Sequence, residues 1–235
     1  MIIFNAHHPW CKHELEAGTV FTTASIEEKS CLELLSKLNN CPESDIVKNV
    51  NEWLEGAVNH FAMICKFAGG IVAAADRTAS YPVYISKADA EIKISNHARS
   101  LVSDMASLQM DADGILSLKM AGYTIGQRSA VKGLHSLRPG EACLMNKNRL
   151  KYWRYHKYLP NITIASPSTR GLRKELAETT LSILDGVRDR ANGRQIVIPL
   201  SAGLDSRLIV SGLKHLGTKN LVCFSYGLKN NFEAK

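Results

Sequence analysis

The sequence predicts an α+β antiparallel sandwich over residues 1–160, followed by the beginning of an α/β parallel-sheet domain over 161–235. Three observations carry this. Phe61 to Cys65, Ile71 to Ala75, Pro82 to Ser86, Glu91 to Ser95 and Glu141 to Asn146 are short apolar bursts parted by Gly, Asp and Asn, the pattern of an antiparallel sheet. Residues 195–227 instead read strand, small-residue turn, helix, strand, which is a βαβ unit with parallel strands. Between the two patterns, Pro160-Asn161 and Ser166-Pro167-Ser168 punctuate the chain.

Taken in order, Thr19-Val20-Phe21 reads as a short strand, and Ser25 to Leu38 as a helix with Ile26, Leu32, Leu34 and Leu35 apolar. A second helix spans Ile46 to Leu54. The sheet bursts follow, and Asp111 to Met120 reads as a short helix that Asp111 caps, with Ile115, Leu116 and Leu118 facing inward. Ser168 or Thr169 is the natural N-cap of a long helix ending at Asn192-Gly193. Leu172, Leu176, Ile183, Leu184 and Val187 mark its apolar face, while Arg173, Glu175, Arg188 and Arg190 form a solvated one.

The βαβ unit holds the most informative stretch. Val197-Ile198-Pro199-Leu200 breaks into Ser201-Ala202-Gly203-Leu204-Asp205-Ser206, and a helical pattern resumes at Arg207 through Leu208, Ile209, Leu213 and Leu216 to a left-handed stop at Gly217. Leu221 to Gly227 is the second strand. Small residues leave backbone N–H groups uncovered, and a helix dipole points at the turn, so an anion cradle is expected at the carboxyl end of a parallel strand. No Gly-x-x-x-x-Gly-Lys-Ser/Thr occurs, so this is not the common phosphate loop. An ordinary strand-to-helix turn is the plain alternative.

With Leu200 to Ile209 and Cys223-Phe224-Ser225-Tyr226-Gly227 in view, the chain resembles the asparagine synthetase family, whose Ser-Gly-Gly-x-Asp-Ser loop holds pyrophosphate. The likeness extends upstream through Phe61-Ala62, through Asp76-Arg77 with Pro82-Val83-Tyr84, and through Ser95-Asn96. It then reaches Gly133 with Leu137-Arg138-Pro139-Gly140 and Tyr152-Trp153, in family order from Asn59 onward. The resemblance implies a class II glutamine amidotransferase-like domain over 1–160 and the N-terminal part of an ATP-pyrophosphatase domain over 161–235. It implies ATP and Mg²⁺, and amide formation in which a carboxylate is adenylated and then attacked by ammonia or an amine. By position, Leu200, Ser201, Ala202, Gly203, Leu204, Asp205, Ser206 and Tyr226 would bind the nucleotide, and Asp205 would be the catalytic and metal-holding residue. The partners so implied are a small-molecule or peptide carboxylate and a nitrogen donor.

Departures are as informative. Ala202 stands where the family has its first glycine, and a Cβ there costs about 1 kcal/mol if the backbone needs positive φ. Met1-Ile2-Ile3 lacks the Cys that follows Met in glutamine-hydrolysing members, and Cys11 has a peptide-bonded nitrogen that is no base, so no glutaminase activity is expected. Asn96 replaces the usual Glu, and Arg77 is expected to tie loops together rather than do chemistry. Asn230-Asn231-Phe232-Glu233-Ala234-Lys235 resembles the opening of the synthetase domain's next helix, so the sequence reads as a fragment or a truncated product. The rival function is therefore a non-catalytic fragment or binding module. In this form 168–235 is expected to be protease-labile, since its strands read as buried on both faces yet lack covering elements; otherwise a partner chain, such as a homodimer mate, completes the sheet.

Composition excludes other classes. No apolar run is long enough to span a membrane and no secretory leader is present, so a cytoplasmic protein is expected. Six cysteines without a Cys-x-x-Cys pair read as reduced thiols. His7, His8, Cys11 and His13 follow no zinc spacing and read as a solvated segment. The net charge of +7 is spread along the chain without an aromatic-interleaved basic face, so nucleic acid is not an expected partner.

Overall fold

The computed structural model describes residues 1–23, 26–57, 60–87, 91–147, 149–159 and 168–227. Ser25, Asn59, the Pro160 to Pro167 punctuation and the Asn230 to Lys235 segment lie outside the described residues. By Cα packing the chain divides into two compact units, Met1–Leu159 and Pro160–Lys235.

The first unit is built on six antiparallel strands. β2 (Trp10–Leu15) and β3 (Gly18–Thr23) form a hairpin, and β3 pairs β4 (Ala62–Phe67), Val20 opposite Cys65. β4 pairs β5 (Gly70–Ala75), β5 pairs the later β9 (Glu141–Asn146), and β10 (Arg149–Arg154) closes the far edge. A second sheet has the order β1-β7-β6-β8: β1 (Ile2–Ile3), β7 (Lys93–Ser95), β6 (Tyr84–Ser86) and β8 (Leu134–Ser136). Only β1 and β7 run parallel in it.

Burial explains why β4 and β5 read as unbroken apolar runs. Met63, Cys65, Val72 and Ala74 face a core shared with α1 (Glu28–Asn39) and α2 (Ile46–Gly56), through Leu34, Leu35, Val50 and Leu54. Ala62, Ile64, Ile71 and Ala73 point the other way, into a core closed by Ile85 and Ile94 of the second sheet. A strand covered on both faces has no polar side to alternate with. The unit is thus helix, sheet, sheet, with α3 (Ala98–Ser103) against the second sheet.

In α4 (Ala112–Ala121) the Asp111 carboxylate accepts the Gly114 N–H at 2.9 Å, so the expected cap forms. The expected inward face does not. Leu116 is 55% exposed and Leu118 is exposed as well, whereas Gly114 is buried against the Ser129 carbonyl. The helix approaches its neighbour on its smallest residue because only a hydrogen fits there. The strand over His13 went unread because Cys11, Lys12 and Glu14 are exposed on this edge strand and give little alternation.

The second unit begins with α5 (Thr169–Ala191), capped by the Ser168 hydroxyl at 3.1 Å from Gly171 N and closed by left-handed Asn192. β11 (Ile196–Pro199) pairs β12 (Leu221–Phe224) in parallel, with α6 (Leu204–His215) between them in sequence. Its buried cluster is small: Leu184, Ile198 and Leu213. Two expectations fail here. Leu172, Leu176 and Ile183 of the α5 stripe are exposed rather than buried; Val197, Val222 and Phe224 are exposed too, as expected of strands that lack covering elements. α6 also starts at Leu204 rather than Arg207, which puts Asp205 and Ser206 in its first turn.

Candidate functional site

At the carboxyl ends of the parallel pair, Leu200 N–H donates to the Phe224 carbonyl at 2.7 Å and the Ser225 hydroxyl donates to the Leu200 carbonyl at 2.8 Å. These bonds hold the two strand ends together while the chain turns. The turn is closed by two serines: Ser201 N–H donates to Ser206 Oγ at 3.1 Å, the two hydroxyls lie 3.1 Å apart, and Gly203 N–H donates to Ser201 Oγ at 3.2 Å. Gly203 is the N-cap of α6 with φ −68° and ψ 158°, and no side chain caps the helix. The first-turn N–H groups of a helix have no intrahelical acceptor, so here they remain available to an anion, and the helix dipole adds to the attraction.

Ala202 is not among the left-handed residues of the described chain, so the strain expected from positive φ is absent. Gly203 is not left-handed either, and it serves by space: a Cβ there would lie 3.2 Å from Ser201 Oγ, crowding the hydroxyl that closes the turn. Asp205 is exposed in the first turn of α6 and joins no ion pair among the described residues. Among the described residues no group of three or more His, Cys, Asp or Glu could hold a metal alone. A single carboxylate in the first turn of a helix without a side-chain cap would fit Mg²⁺ only if the ion were held jointly with substrate phosphates, as Mg²⁺ commonly is. Leu200 is half-buried, Leu204 points outward, and Tyr226 is 76% exposed with its ring stacked on Phe224 at a centroid distance of 6.0 Å.

The residues of the first unit singled out by sequence have structural duties. Asp76, buried, accepts N–H groups from Phe61 at 2.8 Å, Thr78 at 2.8 Å and Ser80 at 3.2 Å. Burial alone would raise its carboxyl, but these donors outweigh it and hold the group below the usual carboxylate range. Arg77 was the residue expected to tie loops; it is exposed and has no hydrogen bond or ion pair among the described residues, and the tie is Asp76. The signal for that lay in a hydroxyl residue two positions after an Asp, the composition of an Asx turn. Asn96 is buried and binds the backbone of Asn5 both ways, accepting its N–H at 2.9 Å and donating to its carbonyl at 2.8 Å. Glu141, fully buried, receives Arg138 Nε at 3.0 Å and Gln127 Nε2 at 2.8 Å, a pairing that sequence reading did not find.

Burial pushes the Cys31 thiol up to about 11 and those of Cys65 and Cys143 to about 12, which leaves all three protonated and unreactive at neutral pH. Cys11 and Cys223 are exposed.

No protein-family model matches the chain, and no curated protein is similar to it. Distant structural likenesses exist, including the following two. The chain is similar to the allosteric regulatory enzyme of purine biosynthesis with a TM-score of 0.35 and 12% identity, over 93% of this chain and 47% of that one. It is similar also to glutamine phosphoribosylpyrophosphate amidotransferase from B. subtilis, in complex with ADP and GMP, with a TM-score of 0.36 and 10% identity over 93% of this chain and 48% of that one. The chain therefore spans about half the length of these structures. Likeness at this level carries no argument about chemistry. No helix among the described residues is long and apolar enough to cross a membrane.

Proposed function

We propose that this chain belongs to an ATP-dependent amide-forming enzyme of the asparagine synthetase type, with the Ser201–Ser206 turn as its phosphate cradle. The observation that carries the reading is an uncapped helix N-terminus at the carboxyl end of a parallel strand pair, closed by the Ser201–Ser206 hydroxyl pair. ATP would activate the carboxylate as an acyl-adenylate, a mixed anhydride from which the amine displaces AMP, with pyrophosphate leaving in the first step, and Mg²⁺ would neutralise charge on the phosphates. The chain's own part is to orient and neutralise: open first-turn amides for phosphate oxygens, the Ser206 hydroxyl as a further donor, and Asp205 as the carboxylate beside the metal. Leu200 and Tyr226 would flank the base.

The nitrogen donor in this reading is ammonia or an amine. Cys31, Cys65 and Cys143 are buried and protonated, and Cys11, Cys41 and Cys223 carry amide-bonded nitrogens that cannot serve as the base of an N-terminal nucleophile.

Titration with MgATP tests the cradle. Asp205→Asn is expected to weaken Mg²⁺-dependent binding by about tenfold or more while leaving Mg²⁺-free binding unchanged, and Ser206→Ala to weaken both, each lost phosphate contact being worth about 1.5–3 kcal/mol. Wild-type affinity in both variants would return the turn to a plain structural connection. The small core of the second unit favours one other reading, a binding module without chemistry; its mark is MgATP binding without carboxylate-dependent exchange of labelled pyrophosphate into ATP.

A further inference from the structure

A second group of reactive side chains lies in the first unit, where β5 ends and the chain turns through Asp76 to Ser80. Ser80 Oγ is 2.6 Å from His60 Nδ1, and the Asp76 carboxylate is 3.8 Å from the same nitrogen. The Thr78 hydroxyl donates to Asp76 Oδ1 at 3.0 Å and lies 2.9 Å from Ser80 Oγ. Between the two hydroxyl residues, Ala79 has φ 52°, a left-handed conformation that a residue with a Cβ adopts at a cost. The Tyr81 N–H, next after Ser80, makes no hydrogen bond among the described residues.

We propose that Ser80 is a nucleophile, with His60 as its general base, that accepts an acyl group from an activated ester at the surface of the first unit. With the ring proton on Nε2, Nδ1 accepts the Ser80 hydroxyl hydrogen. Ser80 Oγ attacks the ester carbonyl and forms the new C–O bond while its proton passes to His60 Nδ1. Collapse of the adduct breaks the bond to the leaving alcohol, which takes that proton, and leaves the acyl group on Ser80 Oγ. Asp76 does not bond the ring. Its part is to hold the turn that carries Ser80, by accepting the Ser80 N–H at 3.2 Å. The Tyr81 amide occupies the position from which nucleophile turns commonly donate to the oxyanion. His60 is 70% exposed, so the ester needs no deep pocket to reach it.

The test uses the whole chain and p-nitrophenyl acetate, with intact mass and peptide mapping of the product. One acetyl group on Ser80, released p-nitrophenol in equal amount, and loss of the adduct in Ser80→Ala are expected. His60→Gln is expected to slow acetylation by about 100-fold or more, the lower end of general-base contributions. Ser80 N–H, Thr78 N–H and Phe61 N–H still bind Asp76 in both variants, and an unchanged urea midpoint reports that the turn survives. No adduct on Ser80 in the wild-type chain, or acetylation of His60→Gln at the wild-type rate, would overturn the proposal.

Discussion

Ala79 and Ala202 invert what the sequence suggests about strain. Ala202 stands where positive φ was the expected source of strain yet is not left-handed, whereas Ala79, which carried no such expectation, holds φ 52°. The left-handed region costs a residue with a Cβ about 1–2 kcal/mol, and glycine's freer unfolded chain returns about 0.4–1 kcal/mol of that. Ala79→Gly is thus expected to stabilise by about 0.5 kcal/mol, and Ala202→Gly to destabilise slightly, both read from urea midpoints. A destabilised Ala79→Gly would mean that the turn does not hold this φ in solution. Asp76 gives a second prediction at this scale. Its folded carboxyl titrates lower than in the unfolded chain, so its stabilisation is present above the usual carboxylate range and is lost as pH falls through the folded value. The stability gap between wild type and Asp76→Asn should be widest at neutral pH and narrow toward about pH 3; a gap independent of pH would contradict the depressed carboxyl.

Glycines inside helices separate what propensity says from what packing says. Ala is favoured over Gly by about 1 kcal/mol in a helix interior. In α4 a Cβ on Gly114 meets the Ser129 carbonyl, which is backbone and cannot swing away. In α6 a Cβ on Gly212 meets the far end of the Leu184 side chain, which can change rotamer. Gly114→Ala should therefore destabilise by about 1–2 kcal/mol net of its propensity gain, and Gly212→Ala should change stability by less than about 1 kcal/mol. Equal effects at the two sites, in thermal or urea unfolding, would show that α4 is free to shift. The same contrast marks where sequence is legible. Caps at Asp111 and Ser168 are read correctly because each depends on residues within a few positions, whereas α6 begins at Leu204, three residues ahead of the expected Arg207. Which face of α4 or α5 is buried depends on partners distant in sequence, so Leu116 and Leu176 misled. Edge strand β2, with only Trp10 buried, gave no alternation to read. Asp76 and Glu141 went unassigned because some of the donors that satisfy them once buried, Phe61 N–H and Gln127 Nε2, come from partners distant in sequence.

Over the whole chain, the two units differ in how much apolar surface each removes from water. The first has two cores, with β4 and β5 buried on both faces between them. Among its described residues the second buries the apolar side chains of Leu184, Ile198 and Leu213, and its two-stranded sheet leaves Val197, Val222 and Phe224 exposed. A buried Leu, Ile or Phe side chain contributes about 1.5–3 kcal/mol of transfer free energy, while each ordered residue loses about 1–2 kcal/mol of backbone entropy. Few buried side chains against many ordered residues leave the second unit with the smaller opening free energy. Amide hydrogen exchange should therefore proceed through local opening in β11, α6 and β12 far sooner than in β4, β5 and β9, whose protection should approach that of global unfolding. MgATP is expected to slow exchange across residues 200–206 and the α6 first turn, because a ligand bound only to the folded state stabilises it. Protection in β11 and β12 equal to that in β4 and β5, without nucleotide and independent of protein concentration, would mean that the second unit is held by interactions other than those its described residues make. The same protection appearing only as concentration rises would assign the covering surface to a second copy of the chain.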